Sequence, residues 1–158
     1  GRLFFVAAIL GSPALWATAR EAAREGRFDL AVARARRAFQ RAFSGRLRFV
    51  LDGRPKQRAE ALTLMCPLVS TALDAEERAL EAAALDPSSA LDVFRLGFNA
   101  ARGQWREDPS VSVGRCRTGR VWAGGRIPAI LDGEPVRFDP ELSIRFRPKA
   151  FRALVPPA

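Results

Sequence analysis

Histidine and tyrosine are absent from this chain of 158 residues, and methionine occurs once. Without histidine there is no Ser-His-Asp or Cys-His catalytic arrangement within the chain, and no histidine-containing zinc site. Cysteine is scarce. Cys66 and Cys116 stand alone in apolar, strand-like settings, which fits two reduced thiols of a cytosolic protein, with a single disulfide as the alternative. Lysine is nearly missing too, Lys56 and Lys149 being the only ones among 26 basic residues. No apolar run reaches the roughly 18 residues that a membrane-spanning helix needs. The run from Leu3 to Leu10 is short and lacks the cleavage-site context of a secretion signal. Low-complexity tracts, repeats and internal linkers are also lacking.

What is present is arginine and apolar surface. The net charge is +9 and 48% of the residues are hydrophobic, so one domain spanning 1–158 has enough material for a real core. Arginine binds phosphate bidentately, which makes anionic lipid, nucleotide and nucleic acid the partners to consider. An Ala- and Arg-rich composition also arises from genomic base bias, so charge alone does not choose. The chain opens at Gly1 and enters a strand-like run directly, as a fragment of a longer protein would.

Along the chain, Leu3–Leu10 reads as one buried strand closed by Gly11. Ser12-Pro13 supplies a helix N-cap and first position, predicting a helix to about Glu25. A second helix is predicted from Phe28 to Phe43, with Asp29 near its positive end and Arg34, Arg37 and Arg41 on one stripe. After Gly45 the period changes to 2: Leu47, Phe49 and Leu51 form a strand, Asp52-Gly53 turns, and a second strand runs from Arg58 to Cys66. Leu68–Leu73 reads as a loop, and propensity alone makes Asp74–Leu85 a helix. Another helix starts at Asp86-Pro87-Ser88-Ser89, passes through Leu91, Phe94, Leu96 and Phe98, and stops at Gly103. The remainder reads as short strands around Val111–Val113, Arg120–Trp122, Ile127–Leu131, Val136–Phe138, Leu142–Phe146 and Ala150–Val155. The fold class is therefore α+β and sheet-rich, with helices inserted between strand groups.

The turn Leu131-Asp132-Gly133-Glu134-Pro135 stands out. Asp-Gly between hydrophobic runs makes a tight hairpin, and a surface turn with an incidental carboxylate explains it. Alternatively the turn presents Asp132 and Glu134 at a sheet rim, where a carboxylate accepts a proton. Leu51-Asp52-Gly53-Arg54-Pro55 echoes it with Arg in place of Glu, so the turn itself does not demand the Glu.

Taken in order, the Gly-Arg strand entry, Ala-rich helices, paired strands, Met65-Cys66-Pro67, a further helix, Asp132-Gly133-Glu134-Pro135, and the closing Phe146-Arg147-Pro148 and Ala150-Phe151-Arg152 resemble the carboxy-terminal lobe of diacylglycerol kinase-like lipid kinases. That group includes the bacterial lipid kinases and the sphingosine kinases. The resemblance implies a β-sandwich lobe with added helices, as in the diacylglycerol kinase and NAD kinase-like folds. It implies an active site in the cleft with an amino-terminal α/β lobe, whose Gly-Gly-Asp-Gly loop binds ATP phosphates. The family's proton acceptor falls on Glu134, with Asp132 beside it. Its structural Mg²⁺ loop falls on Leu73-Asp74-Ala75-Glu76-Glu77, where Asp74 is kept and the expected Gly is not. It also makes Ala79–Leu85 a strand, and that expectation is preferred here because tertiary context overrides propensity.

The expected function is thus the lipid-side lobe of an ATP- and Mg²⁺-dependent kinase. It would act on a diacylglycerol-like lipid at an anionic membrane, in the cytoplasm against the inner face, and be inactive without the other lobe. Phe4–Leu10 and the first helices would line the acyl site. The alternative is a non-catalytic basic module for anionic membrane or nucleic acid; a lobe kept only as a regulatory partner is a third. Nucleic acid is disfavoured, because the aromatic residues sit at core periodicities instead of interleaving with Arg on one platform. The oligomeric state stays open, a homodimer included.

Overall fold

The computed structural model describes residues 1–14, 29, 46–74 and 76–150. The bulk of the two predicted amino-terminal helices, their arginine stripe, and the final strand past Ala150 lie outside these residues. Pro13 and Ala14 are helical after Ser12, and Asp29 is helical.

Ten strands and one α-helix are described. They are β1 (Ala7–Gly11), β2 (Leu47–Leu51), β3 (Gln57–Ala59), β4 (Ala61–Met65), β5 (Leu80–Leu85), α1 (Ala90–Ala101), β6 (Val111–Cys116), β7 (Thr118–Trp122), β8 (Ile127–Leu131), β9 (Glu134–Phe138) and β10 (Glu141–Arg145), with a 3₁₀ turn at Trp105–Glu107. A six-stranded sheet has the order β6-β5-β4-β1-β8-β9, and a four-stranded sheet the order β10-β7-β2-β3. Every pairing is antiparallel. Both sheets are open. Leu10, Leu62, Leu64, Leu80 and Ile127 from the first meet Leu47, Phe49, Val121 and Ile144 from the second in one core. The expected sheet-rich α+β class is what the chain adopts.

Two single-residue corners join the sheets. The strand expected over Arg58–Cys66 is broken at Glu60, so that β3 pairs in one sheet and β4 in the other. Strands that switch sheets need such a bend. Arg117 makes the second corner, between β6 and β7. Gly11 permits the first. Its φ is +101°, and a Cβ there would lie 2.3 Å from the Glu60 carbonyl oxygen.

Leu3–Leu10 is only partly a strand. Leu3, Phe5 and Val6 are exposed and precede β1, whose Ala8 and Leu10 enter the core. Residues 80–85 are a strand despite their helix propensity. β5 is hydrogen-bonded between β4 and β6 and buried over Leu80–Ala83, a place where small alanines pack on both faces. Helix α1 begins where the serines predicted it, the Ser89 hydroxyl accepting the Asp92 N–H at 3.2 Å. Its outward side, however, is apolar: Leu91 and Phe94 are 74% and 75% exposed and Phe98 is half exposed. The helix is held by its polar side instead, Arg95 and Asn99 donating to the buried carboxylate of Asp108.

Candidate active site

The β8–β9 hairpin carries the predicted acidic pair. Asp132 and Gly133 both have positive φ, 49° and 92°, the geometry of a two-residue turn that matches strand twist. Its two carboxylates are placed quite differently. That of Asp132 turns back across β1, where Oδ2 accepts the Phe5 N–H at 2.7 Å and Oδ1 accepts those of Val6 and Ala7, each at 2.9 Å. Desolvation raises the Asp132 pKa, but the three backbone donors outweigh it and hold the carboxyl below its ordinary value.

Glu134 opens the edge strand β9 opposite Leu131. Its side chain is exposed and shares a strand face with Val136 and Phe138, which pack on the core. No hydrogen bond or ion pair engages its carboxylate among the described residues. Pro135, two residues past the turn Gly, sits in this edge strand, where a missing backbone donor costs least.

The same clamp occurs at the echo turn. Asp52, with φ 47°, accepts the backbone N–H groups of Arg117 and Thr118 through Oδ1 at 2.9 and 2.7 Å. Both Asp-Gly turns therefore pin a distant backbone segment, and only the second is followed by a carboxylate. Sequence inspection paired Asp132 with Glu134 as neighbours and missed the clamp. The recurrence of Leu-Asp-Gly-x-Pro was the available signal.

The segment held by Asp132 is apolar and exposed, and it borders a cavity of about 710 Å³ walled by Leu3, Phe4, Phe5, Pro67, Leu68 and Phe146. Of the run expected to line an acyl site, Phe4 and Phe5 reach this cavity, whereas Ala8 and Leu10 belong to the core. Cys66 also lines it; both cysteines are free thiols, and burial pushes that of Cys116 up to about 12.

Asp74 lies in an exposed loop, where its carbonyl accepts the Glu77 N–H at 2.9 Å. The Glu77 carboxylate is taken by Arg115 at 2.7 Å, and a guanidinium at that point repels a cation. Asp74, Glu76 and Glu77 line one hollow together with Arg115, but among the described residues no group of three or more acidic or cysteine side chains is placed to hold a metal ion. The loop does not fit the Mg²⁺ site that the resemblance suggested. Nor do these residues offer a Gly-rich cradle for nucleotide phosphates.

Two further carboxylates went unnoticed in the sequence. Glu81 is fully buried in β5. Arg106 reaches it at 2.6 and 3.1 Å and the Ser70 hydroxyl donates to it. Burial raises its pKa, and these donors more than reverse the effect. Glu60, at the sheet corner, is 2% exposed with neither carboxylate oxygen hydrogen-bonded. Desolvation raises its pKa, Asp86 adds to the rise, and Arg46 at 4.0 Å only partly opposes it.

The sequence matches no protein-family model and no curated protein. Solved structures do match the fold. A candidate diacylglycerol kinase from Bacillus anthracis str. Sterne superposes with a TM-score of 0.53 at 10% identity, covering 94% of this chain and 55% of that one. A second structure described in the same way gives 0.52 at 9% identity, covering 90% and 50%. The chain spans about half the length of those structures. No described helix is long and apolar enough to cross a membrane. The two open antiparallel sheets, joined through corners at Glu60 and Arg117, thus build the fold that those candidate diacylglycerol kinases share.

Proposed function

We propose that this chain is the lipid-side lobe of an ATP-dependent kinase that phosphorylates the hydroxyl of a diacylglycerol-like lipid. The observation that carries the proposal is the Asp132 clamp. It ties the turn bearing Glu134 to the exposed apolar segment Leu3–Val6. A lipid chain lying along that segment brings its hydroxyl toward a carboxylate that no described side chain engages. Glu134 is the proton acceptor and Asp132 a positioning residue.

In the transfer, the lipid oxygen bonds to the γ-phosphorus while the bridge to the β-phosphate breaks. The hydroxyl proton passes to the Glu134 carboxylate, and ADP leaves. ATP and its Mg²⁺ belong to a separate nucleotide-binding lobe, which supplies the charge neutralisation that phosphoryl transfer needs. The membrane from which the substrate comes is anionic, in keeping with a net charge of +9.

The test is Glu134→Gln in the protein that joins this chain to its nucleotide-binding lobe. Loss of a positioned base lowers kcat by about 100-fold or more, with KM for the lipid retained. Turnover at the wild-type rate would remove Glu134 from the chemistry.

A further inference from the structure

The outer face of the four-stranded sheet carries an arginine-lined hollow that the proposed chemistry does not use. Its volume is about 950 Å³, and Arg2, Arg120, Arg145 and Arg147 line it. The register explains the cluster. Arg120 lies opposite Ser143 on β10, Arg145 opposite Thr118, and these positions alternate with the core residues Val121 and Ile144. Among the described residues, none of the four guanidiniums has a hydrogen-bond or ion-pair partner. Asp52, the one carboxylate among the described lining residues, is committed to the Arg117 and Thr118 backbone. Four guanidinium groups thus face one space against a single described carboxylate.

This hollow adjoins the apolar cavity, the two sharing Arg2, Leu3, Arg145 and Arg147 as a common wall. The alternation along 144–147 makes the junction: Ile144 and Phe146 pack on the core while Arg145 and Arg147 face out. One side of the wall is mainly apolar, with Glu76, Glu77, Arg78 and Lys149 also in its lining, and the other is rich in guanidinium. The cavity lies within the size range of small-molecule sites.

We propose that the two hollows form a single binding site for an anionic lipid. Its alkyl chain lies against Phe4, Phe5, Leu68 and Phe146, and its phosphate rests among Arg120, Arg145 and Arg147. Guanidinium forks match phosphate oxygens bidentately, and burial of the chain adds the apolar term that a free phosphate lacks. The site shares Phe4 and Phe5 with the segment proposed to carry the substrate chain but does not include the proposed base, for Glu134 lines neither hollow.

The experiment is calorimetric titration of the chain with dodecyl phosphate below its micelle concentration, beside inorganic phosphate and neutral monododecanoylglycerol. Dodecyl phosphate binds about tenfold or more tightly than either control, and Arg145→Ala with Arg147→Ala weakens it by about tenfold. Leu68→Asp, at an exposed position, weakens it from the apolar side. The melting temperatures of these variants show that they are folded. Glu134→Gln leaves this binding as it is, so failure of the kinase reading and failure of this one are told apart. Equal affinity for the neutral amphiphile, equal affinity for inorganic phosphate, unchanged binding in the arginine variant, or no binding at all would each overturn the proposal.

Discussion

The carboxylate of Asp132 accepts the backbone N–H of Phe5 at 2.7 Å, across 127 positions of sequence. With its bonds to Val6 and Ala7, it fixes the entry into β1 and the β8–β9 turn as one unit. Asp132→Ala unbinds three donors and costs about 2 kcal/mol after allowance for solvent at an exposed site. The folded-state pKa is depressed, so the stabilisation is present above the ordinary carboxylate pKa and lost as pH falls through the folded value. Urea unfolding near neutral pH and again at about pH 3 measures both, and the variant loses less on acidification than the wild type.

Gly11→Ala breaks the sheet corner. The added methyl has no room beside the Glu60 carbonyl, and φ +101° is strained for any other residue. The expected loss is about 2 kcal/mol or more. A melting curve within the error of wild type would mean that the corner relaxes freely.

Glu60→Gln works in the opposite direction. The raised pKa means that the native state prefers the protonated acid, so the ionised form opposes folding at neutral pH. Glutamine copies the neutral shape without the charge, so it raises the melting temperature at neutral pH. Arg46 is not stranded by the change, since Asp86 lies 3.7 Å from it. The gain shrinks in acid as Glu60 protonates, a trend that thermal melts across pH reveal.

Arg106→Ala leaves Glu81 buried without its cation, at a cost of about 3 kcal/mol. Pairing it with Glu81→Gln restores part of the loss, because the stranded charge goes with its partner. A double-mutant cycle in urea checks this, and additive single effects would contradict the coupling.

The chain announced those parts of its structure that depend on local pattern. Leu142 and Ile144 alternate as a half-buried strand should, Ser89 caps where a helix was expected, and both Asp-Gly turns form. Less legible was whatever depended on partners far along the chain. Nothing local to Arg58–Cys66 says that one strand serves two sheets; the demand comes from β1 crossing at Gly11. The helical propensity of residues 80–85 gives way to pairing on both sides, and the apolar stripe of α1 points outward because Asp108 holds the polar side. At the candidate site, Glu134 could be picked out as a carboxylate after a turn, whereas the task of Asp132 emerged only once the Phe5–Ala7 backbone was in place beside it.

The most direct measurement is the single-turnover rate of phosphate transfer to diacylglycerol for the wild type and Glu134→Gln, in the protein with its nucleotide-binding lobe. If Glu134 takes the hydroxyl proton, the variant transfers phosphate about 100-fold or more slowly than the wild type while still binding the lipid. An unchanged rate in the variant would contradict the account.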